Sequence, residues 1–160
     1  MINFVSNIEN NRKVCYDINV VDYRKGFKNM KDLKLNITIN KPVEEVFAFA
    51  TNSSNISLWY PTIKEEIPSE VKWKLGTRIK NRGDDVNDWG YYEITEFETN
   101  KKFTLSEIGN PYHVRYTFLS IGNSTNLEYY EWVDSGEISE PASIENLELL
   151  KKCLEENENY

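Results

Sequence analysis

Residues 33–61, LKLNITINKPVEEVFAFATNSSNISLWYP, change their apolar spacing twice within one continuous stretch. Leu33, Leu35, Ile37 and Ile39 alternate with Lys34, Asn36, Thr38 and Asn40, the period of a strand with one face turned to a core. From Pro42 the spacing lengthens. Val43, Val46, Phe47 and Ala50 make one helical stripe, Pro42 suits the first turn, and Glu44 and Glu45 complement the positive end of the helix dipole. This helix should stop near Asn52. Ser53 or Ser54 then caps a second, very short helix through NISLW, and Pro61 ends it by holding Tyr60 extended.

Beyond Pro61 the chain reads as a run of strands, roughly 64–72, 75–82, 89–98, 101–107, 111–119 and 125–134. Glycines fall at or near the breaks, and GDDVND and IGNPY read as loops. Short connections favour antiparallel hairpins. The last 20 residues, PASIENLELLKKCLEENENY, space Ile144, Leu147, Leu150 and Leu154 by three or four, with charged residues between, as an amphipathic helix does.

A chain of 160 residues with 39% hydrophobic content is one domain with enough apolar material to close a core. Residues 1–30 stand apart, with five basic and three acidic residues in a chain whose net charge is −7. They read either as a genuine extension, in which KVCYDINVVDY makes an edge strand or loose arm, or as residues upstream of a true start at Met30. The second reading rests on KGFKNM, which is compatible with a bacterial ribosome-binding sequence at Lys25-Gly26. Residues 31–160 form the domain proper. The acidic balance repels phosphate backbones and anionic lipid heads, so no nucleic-acid partner is expected, and no window approaches eighteen consecutive apolar residues, so no stable membrane insertion is expected. Cys15 and Cys153, far apart and without a paired motif, suit a reducing cytoplasm.

The order of elements, with ITINKPVEEVFAFATN, LWYP, LGTRIKNRG, YYEITEFETNKKFTLSE, STNLEYYEWVDSG and IENLELLKKCLEEN in sequence, resembles the helix-grip fold of the SRPBCC superfamily. That group includes START lipid-transfer domains, pollen-allergen-type proteins, polyketide cyclase-like proteins and homologues of the activator of a heat-shock chaperone ATPase. The resemblance implies an α+β architecture: a curved antiparallel sheet of about seven strands wrapped around a long C-terminal helix, with two short helices after the first strand. It also implies a cavity between sheet and long helix, with Trp59 at its rim or, alternatively, plugging the core.

Alternation turns Tyr112, Val114, Tyr116 and Phe118 toward the concave face, and likewise Leu127, Tyr129, Glu131 and Val133. Glu131 is then either a buried candidate acid or polar anchor, or a solvated carboxylate paired with Arg78 or Arg115; the second reading is the preferred one. Phe47, Trp59, Tyr92, Ile94, Phe103, Tyr116, Phe118, Tyr129, Leu147 and Leu150 are the candidate ligand-lining residues, and the rings among them either line a pocket or fill it. The rings of WGYYEITEF do not sort cleanly onto one face. His113 faces outward, which removes the centre of a Ser/His/Asp arrangement or a histidine metal site from the cavity. Asp84, Asp85, Asn87 and Asp88 read as a solvated turn, because calcium-loop spacing is missing. Glu93 and Glu96, three apart on a strand, lie on opposite faces unless a bulge intervenes. No phosphate loop or dinucleotide motif is present, and no metal or other cofactor is expected.

Three functions follow as expectations. The first is a module binding a small hydrophobic or amphipathic molecule without cofactor. The second is a cyclase- or hydratase-type enzyme working through Glu131 with Tyr116 or Tyr129. The third is a protein-interaction module similar to the chaperone-activator homologues.

Overall fold

The structure, a computed structural model, describes residues 30–156. The strand-like run in the leader and the choice of start lie outside them. The alternation of residues 33–39 becomes β1 (Asp32–Ile39), whose sheltered side chains lead to a fully buried Ile39. In α1 (Val43–Ala50) the expected stripe of Val43, Val46, Phe47 and Ala50 is buried. Pro42 stands one position outside the helix as its cap. Its carbonyl accepts from the Val46 amide at 3.2 Å, a role that needs no N–H of its own. Asn52, rather than Ser53 or Ser54, caps the next segment. Its side-chain oxygen accepts from the Ser54 amide at 3.1 Å and opens a 3-10 turn (Ser53–Asn55) that continues as α2 (Ile56–Trp59).

Six further strands follow: β2 (Glu65–Pro68), β3 (Arg78–Arg82), β4 (Trp89–Glu98), β5 (Lys102–Glu107), β6 (Tyr112–Ile121) and β7 (Ser124–Val133). Together with β1 they make one curved antiparallel sheet in the order β1-β7-β6-β5-β4-β3-β2. β6 and β7 join through Gly122-Asn123, where Gly122 takes φ +59°, a conformation that suits the first position of a two-residue hairpin turn. The chain closes with α3 (Ile144–Glu156), which buries Leu147, Leu150 and Leu154 and packs on α2, β1 and α1. Lys151 Nζ donates to the Thr38 carbonyl at 2.6 Å, and the Asn40 amide donates to Glu155 Oε1 at 2.7 Å, fixing the helix along β1. This is the α+β helix-grip arrangement.

Two departures from the sequence reading matter for the site. The strands expected over 64–72 and 75–82 are shorter because residues 69–77 leave the sheet as a loop and carry Trp73 into the core. Gly76, at φ +83°, turns that loop so that its amide reaches the Ile94 carbonyl at 2.8 Å. β4, in turn, slips its register between Ile94 and Glu96, a bulge that adds one residue at Thr95. Tyr92, Ile94 and Phe97 consequently share the inner face despite their uneven spacing, and Phe97 meets the Phe47 ring at 5.7 Å. The same bulge brings Glu93 and Glu96 to the outer face together. They hold different cations, Glu93 with Arg78 at 3.5 Å and Glu96 with Lys102 at 2.6 Å, so they form no acid–base pair.

Candidate functional site

Strand pairing sets the inner face of β6 and β7, with Val114 opposite Glu131 and Tyr116 opposite Tyr129. Tyr112 lies diagonal to Glu131, and Tyr129 is two residues along the same face, so both hydroxyls reach the carboxylate. Glu131 is 0% exposed. Its Oε2 accepts from Tyr112 at 2.6 Å and Tyr129 at 2.9 Å, and its Oε1 accepts from the Ala142 amide at 2.8 Å. The reading preferred from the sequence is therefore corrected: Glu131 is neither solvated nor paired with Arg78 or Arg115. Alternation puts Arg115 on the outer face, where its Nε meets Glu96 at 3.0 Å. Three donors offset the desolvation of the buried carboxylate, and the Ala142 bond ties residues 134–143 down across the sheet.

That strap roofs a cavity of about 460 Å³. Its floor is the inner face of β3 to β7, through Asn81, Tyr92, Leu105, Tyr116 and Tyr129; its sides come from Trp59 and Tyr60, Glu66 of β2, Trp73, and residues 135–140. Trp59 is both a wall of the cavity and 2% exposed, with its ring edge on Tyr116 at 6.1 Å. The two alternatives for Trp59 thus coincide.

Of the residues singled out from the sequence, Trp59, Tyr92, Tyr116 and Tyr129 line the cavity. Phe47, Ile94, Phe103, Phe118, Leu147 and Leu150 do not; they are core. Phe47, Phe103 and Phe118 interlock with centroid distances of 5.1 to 6.2 Å and fill the α1 end of the sheet, which leaves space only toward the other end. The expected position between sheet and long helix is corrected as well, because no residue of α3 lines the cavity. α3 packs directly on α2, and the strap ahead of it supplies the wall instead. Glu131 stands behind Tyr112 and Tyr129 and is not itself a lining residue.

Sequence reasoning missed Glu66 and Trp73. In KEEIP one of two consecutive glutamates has to face inward on a strand, and that signal was available. Burial pushes the Glu66 carboxyl up to about 7, with the polar groups of Ser53 and Asn81 offsetting part of the effect. Glu66 Oε1 and the indole nitrogens of Trp59 and Trp73 are buried without a hydrogen-bond partner. Burial also raises Tyr112, Tyr116 and Tyr129, and pushes Tyr92 up to about 12 with help from the negative charge of Glu107. These hydroxyls stay protonated across the physiological range.

His113 faces outward as expected, and on that outer face it joins a Ser/His/Asp set. His113 Nδ1 lies 2.7 Å from Ser106 Oγ, its Nε2 lies 2.9 Å from Asp134 Oδ2, and its ring stacks on Trp132. Ser106 sits in mid-sheet, paired with Glu93 on one side and His113 on the other. A flat strand surface offers no pair of converging amides for an oxyanion, so the set ties β5, β6 and the end of β7 together. The Asp84–Asp88 segment is a turn closed by the Asn87 amide on Asp85 at 2.8 Å.

No protein-family model matches the chain, and no curated protein matches it by sequence. Solved structures do match in shape. A START superfamily protein from Mycobacterium smegmatis superposes with a TM-score of 0.61 at 12% identity, over 79% of this chain and 98% of that one. The Aha1 dimer from Colwellia psychrerythraea gives 0.58 at 16% identity, over 81% and 100%. CalU16 from Micromonospora echinospora gives 0.52 at 21% identity, over 65% of this chain; the match spans 61% of CalU16. Such identities establish shape alone, and on shape the chain has the helix-grip fold that these proteins share.

Proposed function

We propose that the chain binds a small amphipathic molecule, without a cofactor, in the cavity between β3–β7, α2 and the strap over residues 134–143. The observation that carries this reading is the coincidence of about 460 Å³ of space with three orphaned buried polar atoms, Glu66 Oε1, Trp59 Nε1 and Trp73 Nε1, in residues that line it. Buried polar groups are almost always paired, and a cluster of unpaired ones in a cavity wall is the mark of a missing partner. The volume is that of an ordinary ligand pocket. The enzyme reading draws less support, because Glu131, its chosen acid, is shielded from the cavity by Tyr112 and Tyr129 and acts by positioning them.

Titration of the full chain with N-phenyl-1-naphthylamine, an uncharged apolar fluorophore, tests the reading. We expect saturable one-site binding, weakened about tenfold by Leu105→Trp, which fills the cavity. Absence of saturable binding, or affinity indifferent to the filling substitution, would sink it.

A further inference from the structure

The cavity wall has a one-sided chemistry. Seven aromatic residues line it (Trp59, Tyr60, Trp73, Tyr92, Tyr112, Tyr116 and Tyr129), together with four glutamates, Glu66, Glu107, Glu137 and Glu140. Among the described residues no lysine, arginine or histidine lines it. Each described ion pair of the chain joins other carboxylates, so these four have no cation within 4.0 Å among the described residues.

The tyrosines sharpen the bias. Tyr112 and Tyr129 both give their hydroxyl protons to Glu131, at 2.6 Å and 2.9 Å, so their oxygens have only acceptor capacity left for anything in the cavity. The outer tryptophans supply a contrast. Trp89 lies under Lys80 at 4.5 Å and Arg82 at 5.5 Å, and Trp132 lies under Arg115 at 5.3 Å. The cavity tryptophans, Trp59 and Trp73, are more than nine-tenths buried and have no such cation among the described residues, and their indole N–H groups are unpartnered. Aromatic rings, the acceptor oxygens of Tyr112 and Tyr129, the half-buried Glu66 and Glu107, and the exposed Glu137 and Glu140 together make an environment complementary to positive charge.

Building on the binding reading above, we infer that the ligand is an organic monocation, an amine or quaternary ammonium on an apolar body that also carries an uncharged hydrogen-bond acceptor. The ammonium group takes the ring faces and Glu66, and the acceptor takes the free indole N–H groups. Glu66 is the specificity-determining residue: it is a half-buried carboxyl whose inner oxygen, Oε1, has no partner among the described residues, and a bound cation supplies one. Its elevated titration, to about 7, agrees with a carboxyl that has no countercharge.

Three probes that differ only in their terminal group test this: 3-phenoxypropylamine, 3-phenoxypropan-1-ol and 3-phenoxypropanoate, each with the same ether acceptor. They are titrated into the 15N-labelled full chain while the four indole N–H resonances are followed. We expect the amine to shift Trp59 and Trp73 and leave Trp89 and Trp132 in place. It should bind about tenfold more tightly than the alcohol, with the carboxylate weakest. Glu66→Gln should remove most of the amine's advantage and keep the alcohol's affinity within about twofold. An alcohol that binds as tightly as the amine, or a carboxylate that binds best, overturns the cation assignment and leaves the cavity reading standing. Indole resonances unmoved by all three probes overturn both.

Discussion

Glu66 and Glu131 are two inward carboxyl groups in opposite circumstances. Glu131 has three donors, and removing it would strand the hydroxyls of Tyr112 and Tyr129 and the Ala142 amide, each at a cost of about 1–3 kcal/mol. Glu66 has an oxygen with no donor, and burial raises its carboxyl from the ordinary 4.5 to about 7. The folded state therefore binds the proton more tightly than the unfolded chain does. The contribution to stability is complete below pH 4.5 and is lost as pH rises through 7, a fall of roughly 3 kcal/mol across the window. Glu66→Gln should flatten this part of the profile and leave the variant more stable than the parent at pH 8. Urea midpoints at pH 5 and pH 8 measure the difference, and parallel pH dependences in the two proteins would refute it.

At the scale of the element, β4 shows how a single residue sets a face. The bulge at Thr95 turns an uneven series, Tyr92, Ile94 and Phe97, into a common inner surface. Deleting Thr95 restores strict alternation and sends Phe97 outward, away from its edge contact with Phe47. We expect the deletion to cost about 3 kcal/mol or more, comparable to losing a buried phenylalanine. Thr95→Ala, which keeps the backbone and loses only an exposed hydroxyl bond to Ser106, should cost about 1 kcal/mol or less. Equal denaturation midpoints for the two variants would show that the bulge does not set the face. The mixed rings of WGYYEITEF are thus explained by an inserted residue. By contrast, β1, β6, β7, α1 and α3 follow their sequence periods and bury the faces expected of them.

For the molecule as a whole, strand order grades the stability of the sheet. β7 pairs on both sides along most of its length and β6 along about half of it, whereas β2 is a four-residue edge strand that pairs only with β3. Amide exchange should be slowest in β6 and β7 and fastest among the strands in β2, which also carries Glu66. Because β2 and the strap both wall the cavity, a bound ligand should slow exchange in β2 and in the strap over residues 134–143 and leave the α1 end unchanged. Mass-resolved hydrogen exchange with and without 3-phenoxypropylamine reads this directly. Protection spread evenly over the sheet would contradict it.

Local period was enough to determine the elements, their order and the direction each regular face points, because side-chain orientation along a strand or helix is set by its immediate neighbours in the chain. The inward direction of Tyr112, Tyr116, Tyr129 and Glu131 was legible for that reason, whereas the helix-grip arrangement was implied by the resemblance of the element order to a known family. Only the tertiary structure decided where the space is left. That depends on how far the rings of Phe47, Phe103 and Phe118 fill one end of the sheet, on the loop that delivers Trp73, and on a strap held by a bond from Ala142 to Glu131. It likewise decided that Glu131 is satisfied and Glu66 is not. A buried group's energy is set by partners that lie far from it in sequence and meet it only when the chain has folded.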